Sequence, residues 1–120
     1  MWLYSQTSGQ LWDDRGHKIE VGYSGHGEGK NNPKFEAIKS VGPIPKGDYT
    51  LGDPYDSKSV GPYAIPLSPH RHNCYGRTHF RIHGDSSKHP GEASEGCIIL
   101  PRKTREFIMI ENDRFLRVIE

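Results

Sequence analysis

The chain has 120 residues, enough for one hydrophobic core and too few for two independent ones, so residues 1–120 are expected to form a single domain. Sixteen basic against fifteen acidic side chains leave a net charge of +1, which provides no electrostatic footprint for nucleic acid or an anionic membrane. The longest apolar runs are four residues (Met1–Tyr4, Cys97–Leu100 and Phe107–Ile110), against the ~18 a spanning helix needs, so no transmembrane segment is expected. The N-terminus has no basic flank leading into an apolar stretch, so no conventional signal peptide is expected either. Fourteen glycines and nine prolines suit short strands and tight turns rather than a helical bundle.

In chain order, Trp2–Ser5 and Gln10–Asp13 flank Thr7-Ser8-Gly9 as a hairpin. Lys18–Tyr23 alternates, with Ile19, Val21 and Tyr23 on one side, and predicts a third strand. Ser24-Gly25-His26-Gly27-Glu28-Gly29, followed by Asn31-Asn32-Pro33, can be neither a good helix nor a packed strand and predicts a loop. Val41–Gly47 carries two prolines and predicts a rigid connection. Asp48–Leu51 and Tyr63–Leu67 predict strands, with Pro66 placing the second at a sheet edge or strand end. Thr78–His83 predicts a strand with Phe80 and Ile82 on one face and Arg81 and His83 on the other. Cys97–Leu100 suits a short buried strand, Pro101–Asn112 the only helix, and Arg114–Glu120 a closing strand.

The chemistry gathers in Arg81-Ile82-His83-Gly84-Asp85 and Ser94-Glu95-Gly96-Cys97-Ile98. A free thiol is only a few per cent thiolate at neutral pH, so a nucleophilic cysteine needs a base or a positive charge beside it. His83 can be that base if its strand lies along the segment carrying Cys97. Gly96 permits a tight turn with open backbone N–H groups, the material of an oxyanion hole. Ser94 can tie the turn or act on the reacting groups. The competing reading of Cys97 is a small core residue opening an apolar strand.

His83-Gly84 followed by a variable loop and then Ser94-x-Gly96-Cys97-Ile98 resembles the signature of L,D-transpeptidase catalytic domains. Upstream, Gly42-Pro43-Ile44-Pro45-Lys46-Gly47-Asp48-Tyr49-Thr50-Leu51 is similar to the stretch that precedes that signature. With the Tyr23–Pro33 loop and Phe80–Ser86, the resemblance is strongest to the L,D-transpeptidase-like effector domains of type VI secretion systems. It implies a compact mostly-β sandwich or open barrel with one C-terminal α-helix. It implies Cys97 as nucleophile, His83 as base held by a backbone carbonyl around Gly84, and oxyanion donors at Gly96 and Cys97, with Ser94 at the motif's serine. The substrate implied is a peptidoglycan tetrapeptide stem, trimmed, exchanged or cross-linked through a thioester, with no cofactor. It further implies synthesis in the cytoplasm, delivery by a secretion machine, action in the periplasm of a target bacterium, and a cognate immunity protein. Two departures stand out. Ile99 occupies the position of the family's arginine, for which Arg102 or Arg81 can substitute. Asp85 follows where many members have threonine, as a partner for His83, a binder of an ammonium group, or a turn cap. His26 and Asn31 are further candidates for substrate contact.

Two rival readings stay open. A non-catalytic β-domain binding cell-wall material or a partner protein would need no thiolate chemistry. His70, His72, Cys74 and His79 form a dense run of possible metal ligands, which a metal-dependent amidase would use, although their spacing fits no strong zinc motif.

Overall fold

The computed structural model describes all residues 1–120. The ten strands are β1 (Trp2–Ser5), β2 (Gln10–Trp12), β3 (Lys18–Val21), β4 (Tyr23–Ser24), β5 (Gly47–Leu51), β6 (Tyr55–Ser57), β7 (Gly61–His70), β8 (Arg81–His83), β9 (Ile98–Ile99) and β10 (Phe115–Ile119). The single α-helix, α1, spans Arg102–Glu111. The fold is therefore mostly β with one helix, as the residue pattern predicts.

The strands run β3-β2-β1-β10-β5-β7-β8-β9-β4, with β6 paired to β7. The two ends of this path, β3 and β4, are separated in the chain by Gly22 alone. Strands so close in sequence cannot lie at opposite sides of a flat sheet, so the sheet curls back towards itself as an open barrel. The expected third strand, Lys18–Tyr23, is thus split. Gly22 is the hinge, because a Cβ there would lie 2.0 Å from the Ile99 carbonyl oxygen. Before it the chain pairs with β2, and after it with β9.

The prediction for Pro66 also needs correction. It sits inside a ten-residue strand that has neighbours on both sides, not at an edge. The sheet tolerates it because β7 changes partner there. Gly61–Ala64 faces β6, Leu67–His70 faces β5, and at the changeover Pro66 needs only its carbonyl, which accepts from Gly52 N–H at 2.9 Å. β6, set among glycine, proline and aspartate, carried no strand signal.

Alternation along β10 buries Leu116 and Val118 and exposes Phe115, Arg117 and Ile119. Tyr4, Leu11, Tyr49, Ile65, Ile82, Ile98 and Leu100 join them in the core. Helix α1 starts after Pro101 and ends at Asn112 in the left-handed conformation (φ 57°), one residue inside the predicted span at each end. Its buried stripe of Thr104, Arg105 and Ile108 packs towards β7 and β8, and Phe107 meets Trp2 edge-on at 6.1 Å. The helix thereby backs β8, the strand that carries His83. No helix is long and apolar enough to cross a membrane.

Candidate active site

β8 and β9 run parallel with Ile82 opposite Ile98 and His83 opposite Ile99. Continuing that register places Arg81 opposite Cys97. Side chains alternate along a strand, so Ile82 and Ile98 enter the core while Arg81, His83 and Cys97 share the other face. Cys97 and His83 are diagonal neighbours on this face, a relation that spans about 7–8 Å between Cα atoms and is within reach of an imidazole. No hydrogen bond joins them in this state.

His83 is 3% exposed, and its Nδ1 lies 2.9 Å from the Gly84 carbonyl. A carbonyl only accepts, so Nδ1 carries the proton and donates it, leaving Nε2 bare in the neutral ring. Burial pushes the His83 pKa below the ordinary imidazole value. The carbonyl contact opposes the shift, and the charges of Arg81 and Arg105 add to it. The ring is thus poised as a neutral base. Burial pushes the Cys97 thiol up, against the pull of the Arg81 main-chain N–H, its charge and side chain, and of Arg77. The resting pair is accordingly thiol and imidazole, with Sγ–H donating weakly to the His79 carbonyl at 3.6 Å.

Both residues open onto a polar cleft with two lobes. One lobe, about 730 Å³, is lined by Arg81, His83, Gly96 and Cys97 together with Lys39 and His79. The other, about 680 Å³, is lined by His26, Gly84, Asp85, Lys88 and His89, again with His83. Ser59, Val60, Glu92 and Ala93 border both, so His83 stands at their junction.

Three buried polar side chains hold the turn that delivers Cys97. Ser94 Oγ donates to the Cys97 carbonyl at 2.6 Å and accepts from Gly25 N–H at 2.9 Å and Gly96 N–H at 3.1 Å. Its hydroxyl is fully used and does not face the cleft, so of its two predicted roles the structure gives it the tying one. Ser24 Oγ donates to the Gly96 carbonyl at 3.2 Å and accepts from Ile44 N–H at 2.8 Å. Arg77 donates to the carbonyls of Glu36, Gly42, Pro43 and Glu95. Gly96 has φ +133°, and a Cβ there would meet Arg77 Nη2 at 2.4 Å, so the turn demands glycine. The two expected oxyanion donors also separate. Gly96 N–H is committed to Ser94, whereas Cys97 N–H has no partner.

The remaining candidates divide. His26 and Asp85 line the cleft. Asp85, however, makes no bond to His83. Burial raises its carboxyl, but Tyr23 O–H at 2.6 Å and the Gly91 and Ser86 N–H groups outweigh that and hold it below the usual range. It is a turn cap that also anchors Tyr23. Asn31 caps Ser24 N–H through Oδ1 and Arg102 stacks over Tyr63 at 4.6 Å; neither lines the cleft. Of the two expected arginines, only Arg81 lines it. Ile99 is buried. Arg77, Ser24 and Arg105 had no sequence signal beyond lying in or near these segments.

The histidine-rich run disperses. His72 and Cys74 meet at 3.6 Å against Tyr49, inside the structure, while His79 lines the cleft. No group of three or more His, Cys, Asp or Glu side chains converges as a metal site.

A curled β-sheet that presents a cysteine, a neutral imidazole and an arginine along one strand pair at a cleft is an enzyme-like class of domain. The chain matches the Tlde1 domain over residues 18–119 and belongs to that family, the L,D-transpeptidase-like effector domains of type VI secretion. No curated protein and no solved structure matches it.

Proposed function

We propose that the domain is a cysteine acyl-enzyme acting on peptidoglycan tetrapeptide stems, as an L,D-carboxypeptidase, a D-amino-acid exchanger or an L,D-transpeptidase. The observation that carries this reading is the placement of Cys97 and His83 on one face of the β8–β9 pair, at a cleft, with Nε2 of His83 unengaged. Sγ–H gives its proton to Nε2, and sulfur attacks the carbonyl carbon of the third stem residue. Cys97 N–H is available to the oxyanion. As the intermediate collapses, the C–N bond breaks and His83 returns the proton to the departing D-Ala amine. Water, a D-amino acid or another stem's amine then attacks the thioester and frees the thiol.

The lobes divide these tasks. Cys97 lines only the first, which takes the acyl portion. Because His83 must reach the leaving amine, D-Ala departs through the second lobe, where Lys88, His89 and His26 suit its carboxylate. Membership of the effector family supports delivery to the periplasm of a target cell and a cognate immunity protein closing this cleft. Incubating disaccharide-tetrapeptide with wild-type and Cys97→Ala protein tests the reading by mass spectrometry. Loss of D-Ala or a cross-linked dimer, only with wild type, is expected. Equal turnover by both would point to metal-dependent hydrolysis, and no turnover by either to a binding domain.

A further inference from the structure

Three arginines surround the Cys97–His83 corner, and two are spent on the fold. Arg77 is fixed by four backbone carbonyls, and Arg105 donates Nη1 to the carbonyls of Pro62 and Tyr63, at 2.9 Å each. Arg81 differs. Its side chain makes one hydrogen bond, from Nη1 to the Tyr55 hydroxyl at 3.3 Å. Its Nε, like that of Arg105, is buried with no partner, but no backbone carbonyl and no carboxylate holds its guanidinium. The half-buried guanidinium therefore keeps donors free towards the cleft, which points to a role beyond packing.

Its position is set by the sheet. Arg81 extends the β8 register to lie opposite Cys97, on the same face, and both line the same lobe of the cleft. We infer that Arg81 is the counter-cation of the Cys97 thiolate, held in place by Tyr55, and that it meets the charge left on sulfur as the proton passes to His83. This rests on Cys97 being the nucleophile. In that step the S–H bond breaks, its electron pair stays on sulfur, and the proton goes to Nε2; Arg81 remains protonated throughout.

The electrostatics run the same way. Burial raises the Cys97 thiol, and the strongest opposing influences come from Arg81: its main-chain N–H, its charge and its side chain. The Arg81 charge also lowers the pKa of His83, so the imidazolium formed in the step is a ready donor to the leaving amine. The other charged or titratable groups around the sulfur are Arg77 at the turn and, along the lobe, Lys39, Tyr75, His79, His83, Glu92 and Glu95. The two carboxylates disfavour the thiolate, and none of the cations among these shares Cys97's position in the register.

The test is the pH dependence of Cys97 alkylation by iodoacetamide, read at the Cys97 peptide by mass spectrometry. Arg81→Gln is expected to move the curve about one unit to higher pH, roughly a tenfold loss of thiolate at neutral pH, with the limiting rate at high pH retained. Arg81→Lys should recover part of the shift, and Tyr55→Phe should give a smaller shift of the same sign. An unmoved midpoint in Arg81→Gln overturns the inference, as does a lower limiting rate at an unchanged midpoint, which is the mark of a packing role. If Arg81→Gln does not fold, unmoved midpoints in both Arg81→Lys and Tyr55→Phe overturn it. No stem peptide is involved, so an Arg81-dependent midpoint without tetrapeptide turnover would sink the substrate reading alone. Turnover with an Arg81-independent midpoint would sink this one alone.

Discussion

The molecule contains two cysteine–histidine pairs, and the one that looks better bonded is the one placed away from the cleft. Cys74 Sγ lies 3.6 Å from His72 Nδ1 and 3.2 Å from the Tyr49 hydroxyl. His72 donates Nε2–H to the Asp48 carbonyl at 2.9 Å, which leaves Nδ1 as the acceptor for the thiol. Yet Cys74 is packed in the core and lines neither lobe of the cleft. Cys97 has no hydrogen bond to His83, but both reach the cleft, and Arg81 stands beside the sulfur. Burial raises both thiols. Access to the cleft and a free ring nitrogen therefore separate a candidate nucleophile from a core residue; proximity of an imidazole, or of a cation such as Arg77, does not.

The comparison breaks most sharply when each sulfur is removed. Cys97→Ala should lower tetrapeptide turnover by about 10³-fold or more, as loss of a nucleophile does. Cys74→Ala should leave turnover within about twofold and instead cost about 1–2 kcal/mol of stability, from the lost packing, measured by denaturant unfolding. Next come the imidazoles. His83→Ala should reduce turnover about 10²–10⁴-fold, whereas His72→Ala should appear in melting temperature and not in kcat. Ser94→Ala should be smaller in rate and larger in stability. It strands the Gly25 and Gly96 N–H groups, at about 1–3 kcal/mol each, and loosens the Cys97 turn.

The subtlest effect is on pH. His83 has its pKa lowered in the fold, so folding favours the neutral ring. Its contribution to stability is complete above the unfolded value of about 6.5 and is lost as pH falls through the lower folded value. The acid limb of kcat/KM should therefore lie below the ordinary histidine midpoint. Thermal melts should begin to fall in the same window, a fall that His83→Gln removes. The depressed carboxyls of Asp85, Asp48 and Glu36 act only further down, as pH falls below their ordinary values of about 3.9 for Asp and about 4.3 for Glu. An acid limb at or above the ordinary midpoint would contradict the buried neutral imidazole.

Residue patterns revealed the strands wherever alternation was clean, as in Phe115–Ile119, and revealed the helix through Pro101 and Asn112. They failed where the sheet changes partner. Nothing local to Pro66 or Gly22 announces that the neighbouring strand switches at that residue, because the information lies in chain segments distant in sequence. The site divides in the same way. Cys97, His83 and Gly84 were singled out through the resemblance to the L,D-transpeptidase signature, and the structure brings them to one cleft. The brace formed by Arg77 and Ser24 was not, since each acts through backbone groups of two segments distant in sequence, residues 36–44 and 95–96. The histidine-rich run, whose spacing fits no strong zinc motif, does not converge in space either.

The central claim is a thioester on Cys97, and the most direct measurement is intact-protein mass after acid quench during turnover of disaccharide-tetrapeptide, with the adduct mapped by peptide digestion. The account predicts an adduct equal to the substrate minus D-Ala, on Cys97, unaffected by Cys74→Ala and absent in Cys97→Ala. Persistent product formation by Cys97→Ala, or an adduct on any other side chain, would contradict it.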